Sequence, residues 1–358
     1  MKKIYTLLLL FVTIIAFPQE PTGYYNAAAG FTGYDLKTKL KTIITTGHSG
    51  KSYDNLFTDV KAFKATDVDL FYENDGSVLD MYSEKPNSAD AYNYHYVAGD
   101  KCGQYQTESD CYNGEHFVPQ STYNSQMPMV GDIHQLTPTD GYVNNRRNNF
   151  PFGKVTTPTW TSTNGSKLGN ISVTGYSGLA FEPIDEFKGD VARILLYFVT
   201  RYESQIPNYS FPMFNGTQNQ AFKTPFLEML IGWHNLDPVS PREIYRNNKA
   251  YLYQGNRNPY IDHPEFVGMI WPNLSTADFA LTNASVYPNP SNNHRINIET
   301  EKVLDEIQLI NINGQLVQQI KNPNAQNNTY TLENLPSGFY FLKLSSKNHS
   351  TTKKVIIN

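Results

Sequence analysis

The hydrophobic pattern of this 358-residue chain changes period once, near Trp271, and that change limits the folds open to it. Before it, apolar residues recur at helical spacing. Leu36, Leu40, Ile43 and Ile44 mark a helix near 35–46. Phe187, Val191, Ile194, Leu195 and Phe198 form one apolar stripe between Asp185 and Arg201. A further helix is expected from Pro225 to Asn235. Another opens at Ser240-Pro241-Arg242-Glu243, which supplies an N-cap, a first-turn proline and a capping-box glutamate, and runs to about Gln254. After Trp271 the period becomes that of strands. The segments are Ile296–Ile298, Ile307–Ile312, Leu316–Ile320, Thr329–Leu332, Phe339–Leu344 and Val355–Ile357, with an Asn313-Gly314 hairpin signal among them. A chain of this length with two periods is expected to form two domains, joined by a linker over 273–285.

Between the first helix and Asp185 the pattern is less regular. Residues 53–96 mix short apolar runs with turn residues and read as short strands and loops. Residues 100–153 read as loop-like and polar. Residues 156–178, rich in Thr, Ser, Gly and Asn, read as an exposed excursion or hairpin. No internal repeat is evident.

The start of the chain, Met1-Lys2-Lys3 followed by an apolar run from Ile4 to Phe17, has the make-up of a secretory signal peptide over 1–19. No later segment has the length of a transmembrane helix. Export places the two cysteines, Cys102 and Cys111, in an oxidising setting where a disulfide is expected, and closing so short a loop stabilises by roughly 2–3 kcal/mol. Without CxxC spacing they make a poor zinc site. The net charge of −4 argues against nucleic-acid binding by bulk electrostatics but leaves room for a local phosphate grip.

The chemistry concentrates between Asn113 and Gly153: Glu115-His116 first, then Asp132 and His134, then Asn144-Asn145-Arg146-Arg147. Phosphodiester hydrolysis needs a base for the attacking water, a hard cation, and donors for phosphate oxygens. Imidazole titrates near neutral pH, so His116 is the candidate base. Glu115 is a hard oxygen ligand suited to Mg²⁺, and an amide oxygen from Asn144 or Asn145 could complete the protein's share of the shell. Arg146 and Arg147 carry fork-shaped donors matched to phosphate. Asp132 and His134 read as a polar cluster supporting the site. The other histidines, His48, His95, His234, His263, His294 and His349, read as structural or surface residues. His-Glu-x-x-His spacing is absent, which excludes the usual zinc-protease pattern.

Glu115-His116-x-x-Pro119-Gln120-Ser121, Asp132-x-His134-x-Leu136-x-Pro138-x-Asp140-Gly141-x-Val143-Asn144-x-x-Arg147-x-Asn149, Trp233-His234-x-x-Asp237-Pro-Val and Gln254-Gly-Asn-Arg257-Asn-Pro259-x-Ile-Asp262-His263-Pro264 together resemble the bacterial endonuclease I family. The likeness covers roughly residues 22–272. It implies an α+β fold with a ββα-metal (His-Me finger) core and surrounding helices over 20–272. It further implies His116 as general base and Glu115 and Asn144 as ligands of one Mg²⁺, for which Mn²⁺ or Ca²⁺ could substitute. Arg147 would support the phosphate or the loop, and the products would carry 5′-phosphates. The expected substrate is DNA, with RNA as a second candidate. The alternatives are an extracellular ribonuclease on the same scaffold, or a non-catalytic nucleic-acid-binding protein with a degenerate nuclease fold. Two departures stand out: Gly114 replaces the arginine many members place before Glu-His, and no Arg or Lys occurs between His116 and Asp132. Phosphate binding therefore falls to Arg146 and Arg147. Residues 286–358, through Val286-Tyr-Pro-Asn-Pro-Ser, Ile312-Asn-Gly-Gln-Leu-Val and Leu335-Pro-Ser-Gly-Phe-Tyr-Phe-Leu-Lys-Leu, resemble a type IX secretion sorting domain. That implies a small β-sandwich, the type IX machinery as partner, and a secreted or cell-surface protein.

Overall fold

The computed structural model describes residues 20–272 and 284–358, apart from 301, 302, 313, 327, 347 and 348. The expected leader, nearly all of the expected linker and Asn313 of the hairpin turn lie outside the described residues.

Helix α1 (Gly33–Thr45) buries Leu36, Leu40 and Ile44 on one face, as the spacing requires. Residues 53–96 form no strand, contrary to the expectation. They hold two short helices, α2 (Asn55–Thr58) and α3 (Phe63–Thr66), with a lone bridge between Val68 and Val78. Hydrogen bonds from loop backbone to Asp69 and Asp80 replace a strand ladder here. The stretch that reads as loop contains β1 (Tyr112–His116), β2 (Leu136–Asp140) and α4 (Gly141–Arg147), a ββα unit. Strands β1 and β2 pair antiparallel with Glu115 opposite Thr137, His116 opposite Leu136 and Gly114 opposite Pro138. A two-stranded ribbon tolerates that proline because each strand has one edge without a partner.

The Thr- and Ser-rich excursion is a three-stranded antiparallel meander: β3 (Thr157–Thr161), β4 (Lys167–Val173) and β5 (Tyr176–Glu182), in order β3-β4-β5. Strand β3 lies in solvent, while Ala180 and Phe181 of β5 enter the core.

Helix α5 (Lys188–Arg201) departs from the expected one-sided stripe. Every residue from Gly189 to Arg201 is buried, polar ones included. Its Arg193, with 0% of its surface exposed, is tolerated because Glu243 accepts from Nη2 at 2.8 Å and the Asp237 carbonyl accepts from Nη1 at 2.8 Å. Helix α6 (Thr224–Leu236) packs along it. Helix α7 (Pro241–Gln254) begins with the expected capping box: Glu243 N–H donates to Ser240 Oγ at 3.2 Å and Ser240 N–H to Glu243 Oε2 at 2.9 Å. It ends at Gly255, whose φ of +84° suits glycine and whose added Cβ would lie 2.4 Å from the Gly47 carbonyl oxygen. Helices α8 (Pro259–Asp262) and α9 (Glu265–Ile270) close this part of the chain.

The remaining residues build a separate apolar core from two antiparallel sheets. One holds β6 (Ser285–Tyr287), β7 (Ile296–Glu299) and β10 (Thr329–Leu332) in order β10-β7-β6. The other holds β8 (Glu306–Asn311), β9 (Leu316–Lys321), β11 (Gly338–Ser346) and β12 (His349–Ile357) in order β12-β11-β8-β9. Ile296, Ile298 and Leu332 of the first share a core with Ile307, Leu309, Leu342, Leu344 and Val355 of the second. The fold is therefore α+β, with a β-sheet region at its C-terminal end.

Candidate active site

Glu115 and His116 are the last two residues of β1, and strand alternation sends their side chains to different neighbours. Glu115 is 1% exposed. Its Oε1 accepts from the Tyr82 hydroxyl at 3.0 Å and lies 3.2 Å from Arg147 Nη1. His116 stacks against Tyr53, ring centroids 5.4 Å apart, and its Nε2 is 3.1 Å from the Val130 carbonyl oxygen. A carbonyl can only accept, so Nε2 carries the hydrogen and Nδ1 keeps its lone pair.

Burial sets the protonation of both groups. It pushes the His116 imidazole down to about 4, against a smaller opposing effect of the Val130 carbonyl. The ring is therefore neutral and able to accept a proton at neutral pH. Burial pushes the Glu115 carboxyl up to about 7, although Arg147 and the Tyr82 hydroxyl pull the other way. One guanidinium does not fully compensate this carboxylate, which leaves it suited to a further positive charge.

Helix α4 brings the amide. Its N-cap, Asp140, accepts from Val143 N–H at 2.8 Å, and Asp140 N–H in turn donates to Asp80 at 2.7 Å. Asn144, one turn into the helix, donates through Nδ2 to Asn113 Oδ1 at 2.7 Å and to the Gly114 carbonyl at 3.3 Å. Those bonds orient the amide so that its oxygen carries no hydrogen bond among the described residues, and Glu115 Oε2 likewise accepts none. Two hard oxygens without donors, one anionic and one neutral, fit a small divalent cation that keeps most of its waters.

The arginine pair divides. Arg146 is exposed; its guanidinium meets the Tyr142 hydroxyl and lies over the Tyr142 and Trp160 rings, 4.9 and 5.7 Å from their centroids. Arg147, expected to grip phosphate, is 1% exposed. It donates to the carbonyls of His116 at 3.0 Å, Asn148 at 3.2 Å and Phe117, and lies over Phe152. Its Nη1 and Nη2 are committed to carbonyls of the protein, so its place is to fix the end of β1. This corrects the expectation of a phosphate contact there.

Asp132 and His134 lie below the ββα unit, fully buried. Asp132 accepts from Tyr197 and Tyr202 hydroxyls at 2.9 and 2.7 Å and from Gln254 Nε2 at 2.7 Å. Burial alone would raise its carboxyl; the charges of His48 and His134 and the hydrogen bonds from Tyr202 and Gln254 outweigh that and hold it low. His134 Nε2 donates to the Asn256 carbonyl at 3.0 Å. His234 and His263 are tied to Pro264 and to Glu20 and Glu265, and His48 faces Arg201. The Cys102–Cys111 disulfide is formed, next to the start of β1.

Three neighbours of the site carry no local signal in the sequence. Tyr82 reaches Glu115 from 33 residues upstream. Asp80 holds the start of α4 from 60 residues away. Tyr53 fills the space beside Gly114, where an added Cβ would lie 2.9 Å from its hydroxyl. That contact gives a physical reason for the missing arginine side chain at 114.

Fold and site together define a ββα nuclease. Residues 32–265 match the family model described as Endonuclease I, and residues 285–358 match that of the secretion system C-terminal sorting domain. The chain is 33% identical over 255 residues to an extracellular ribonuclease of Bacillus subtilis (strain 168), covering 70% of this chain and 78% of that protein. It is 34% identical over 254 residues to an extracellular ribonuclease of Bacillus amyloliquefaciens, covering 69% and 78%. It is 27% identical over 140 residues to Endonuclease-1 of Buchnera aphidicola subsp. Baizongia pistaciae (strain Bp), covering 39% and 49%. The chain belongs to the endonuclease I family. It is a nuclease of the hydrolase class carrying a C-terminal sorting domain, and among the described residues no helix is long and apolar enough to cross a membrane.

Proposed function

We propose that the protein is a secreted or cell-surface endonuclease that hydrolyses phosphodiester bonds of DNA and RNA with little sequence preference, using one Mg²⁺ held by Glu115 and Asn144. The catalytic unit is assigned to 20–272, the leader to 1–19, the linker to 273–285 and the sorting domain to 286–358. The observation that carries the reading is the His116 ring: Nε2 is committed to the Val130 carbonyl, so a neutral Nδ1 is left as base.

His116 Nδ1 takes the proton of the attacking water as its oxygen bonds to phosphorus. The bond from phosphorus to the 3′ oxygen breaks, that oxygen leaves as a 3′-hydroxyl with a proton from solvent, and the phosphate stays on the 5′ end. When bound, the cation supplies charge neutralisation for the phosphate and the leaving oxygen. Arg147 holds the carbonyl of His116 and the Glu115 carboxylate in register, and Arg146 is the exposed cation available to substrate phosphate. RNA is named beside DNA because the two relatives that cover most of this chain are named as ribonucleases. Export through type IX machinery follows from the sorting domain.

Supercoiled plasmid and a structured RNA, each incubated with MgCl₂ or EDTA, test this. Cleavage with Mg²⁺ that EDTA abolishes is the expected result. Both substrates left intact under Mg²⁺, Mn²⁺ and Ca²⁺ would overturn it.

A further inference from the structure

Outside the site described above, Asp69, Glu73 and Glu84 place carboxylate oxygens within 4.8 Å of one another. Asp69 and Glu84 are 1% and 2% exposed, while Glu73 reaches in from the surface. Like charges so close and so dry repel strongly unless a cation lies between them. None of the three forms an ion pair with a basic side chain among the described residues.

Glu84 points to a ligand independently of the clustering. Its Oε1 is buried and has no hydrogen-bond partner, a state that native proteins rarely leave unrelieved. Burial, then the negative charges of Asp90, Glu73, Asp69 and Asp80, push this carboxyl up to about 9. Asp69 is held in place by backbone N–H groups: Phe71 and Tyr72 donate to Oδ1 and Asn74 to Oδ2, each at 3.0 Å. That leaves a cluster of carboxyl oxygens, Asp69 fixed by the backbone, with no imidazole or thiolate.

We propose that Asp69, Glu73 and Glu84 form a structural Ca²⁺ site distinct from the catalytic centre. Two oxygens each about 2.4 Å from one Ca²⁺ are at most about 4.8 Å apart, and the three carboxylates satisfy that limit. Oxygen-only ligands select a hard cation over zinc, and an exposed member such as Glu73 suits the variable shell of Ca²⁺. The consequence is architectural. Glu84 is followed back along the chain by Ser83 and Tyr82, then by Asp80. Tyr82 donates to Glu115, and Asp80 accepts from the N–H of Asp140, the N-cap of α4. A bound ion would staple the segment that holds the catalytic residues in place.

The test uses the full chain with Glu115→Gln, so that the catalytic ligand pair does not contribute, stripped with EDTA and titrated with CaCl₂ alone. One calcium bound per chain by calorimetry, with Tm raised by on the order of 5 °C at saturation, is the expected result. Adding Glu73→Gln should weaken Ca²⁺ binding at least tenfold. Adding Glu84→Gln should raise Tm in EDTA by relieving the buried repulsion, and should remove the response to Ca²⁺. The surface position of Glu73 keeps the test decisive if Glu84→Gln does not fold. Absence of binding in the Glu115→Gln chain, or a Ca²⁺ response that Glu73→Gln leaves intact, would overturn the proposal.

Discussion

Arg146 and Arg147 are neighbours in sequence with opposite surroundings, and the two make separable predictions. Arg147 is enclosed by the His116, Phe117 and Asn148 carbonyls and by Glu115. Its replacement by Ala strands those acceptors and a buried carboxylate, at a cost of about 3–5 kcal/mol, so thermal unfolding should shift sharply downward. Arg146→Ala should leave unfolding unchanged, raise KM roughly tenfold and reduce the salt slope of substrate binding by about 1. Both are read from melting curves and steady-state cleavage. If Arg146→Ala left KM and the salt slope alone, the phosphate contact would have to come from elsewhere. The candidate chemistry was legible because Glu115, His116 and Asn144 lie within one stretch of chain. Tyr53, Asp80 and Tyr82 were not, because their roles depend on where distant loops return.

Among the elements, α7 was readable because its boundaries are set locally: Ser240 and Glu243 satisfy each other's backbone donors, and Gly255 takes the left-handed turn. Ser240→Ala should cost about 1 kcal/mol in chemical denaturation, with activity retained. A loss below a few tenths would mean that Arg193, which also binds Glu243, holds the helix start without the cap. Strands β1 and β2 were not readable. Tyr-Asn-Gly-Glu-His and Leu-Thr-Pro-Thr-Asp show no apolar alternation, and the buried Glu115 and Asp140 are held by distant partners: Tyr82, Arg147 and Tyr94. The same override explains α5, whose polar residues are buried against α6 and α8 and paired with Arg242 and Glu243 of α7 rather than facing water.

For the whole molecule, the apolar clusters of the N-terminal region share no residue with the core of the C-terminal region, which gives the two separate sources of stability. Deleting residues 285–358 should therefore leave plasmid cleavage in vitro within a factor of about two while abolishing export to the cell surface; loss of in vitro cleavage would show that the first region needs the second. Stability should also depend on acid through His134 and His234. Burial holds each down to about 4 in the fold, against 6.5 ordinarily. Between those values the unfolded chain binds protons that the folded chain refuses. Stability is thus lost as pH falls from 6.5 towards 4, by up to about 1.4 kcal/mol per pH unit for each histidine. Asp80 and Glu115, raised to about 8 and 7, act in the opposite sense, so the readout is a difference. His134→Gln should flatten the fall in Tm over that window relative to the unchanged protein. The two-period pattern made the division of the chain legible, whereas the paired sheets of the second core follow from long-range pairing that no local signal specifies. The most direct measurement of the central claim is plasmid cleavage by His116→Ala under saturating Mg²⁺. The account predicts a rate lower by about 10²–10⁴-fold with Tm held within a few degrees; a folded variant cleaving within a few-fold of the unchanged protein would contradict it.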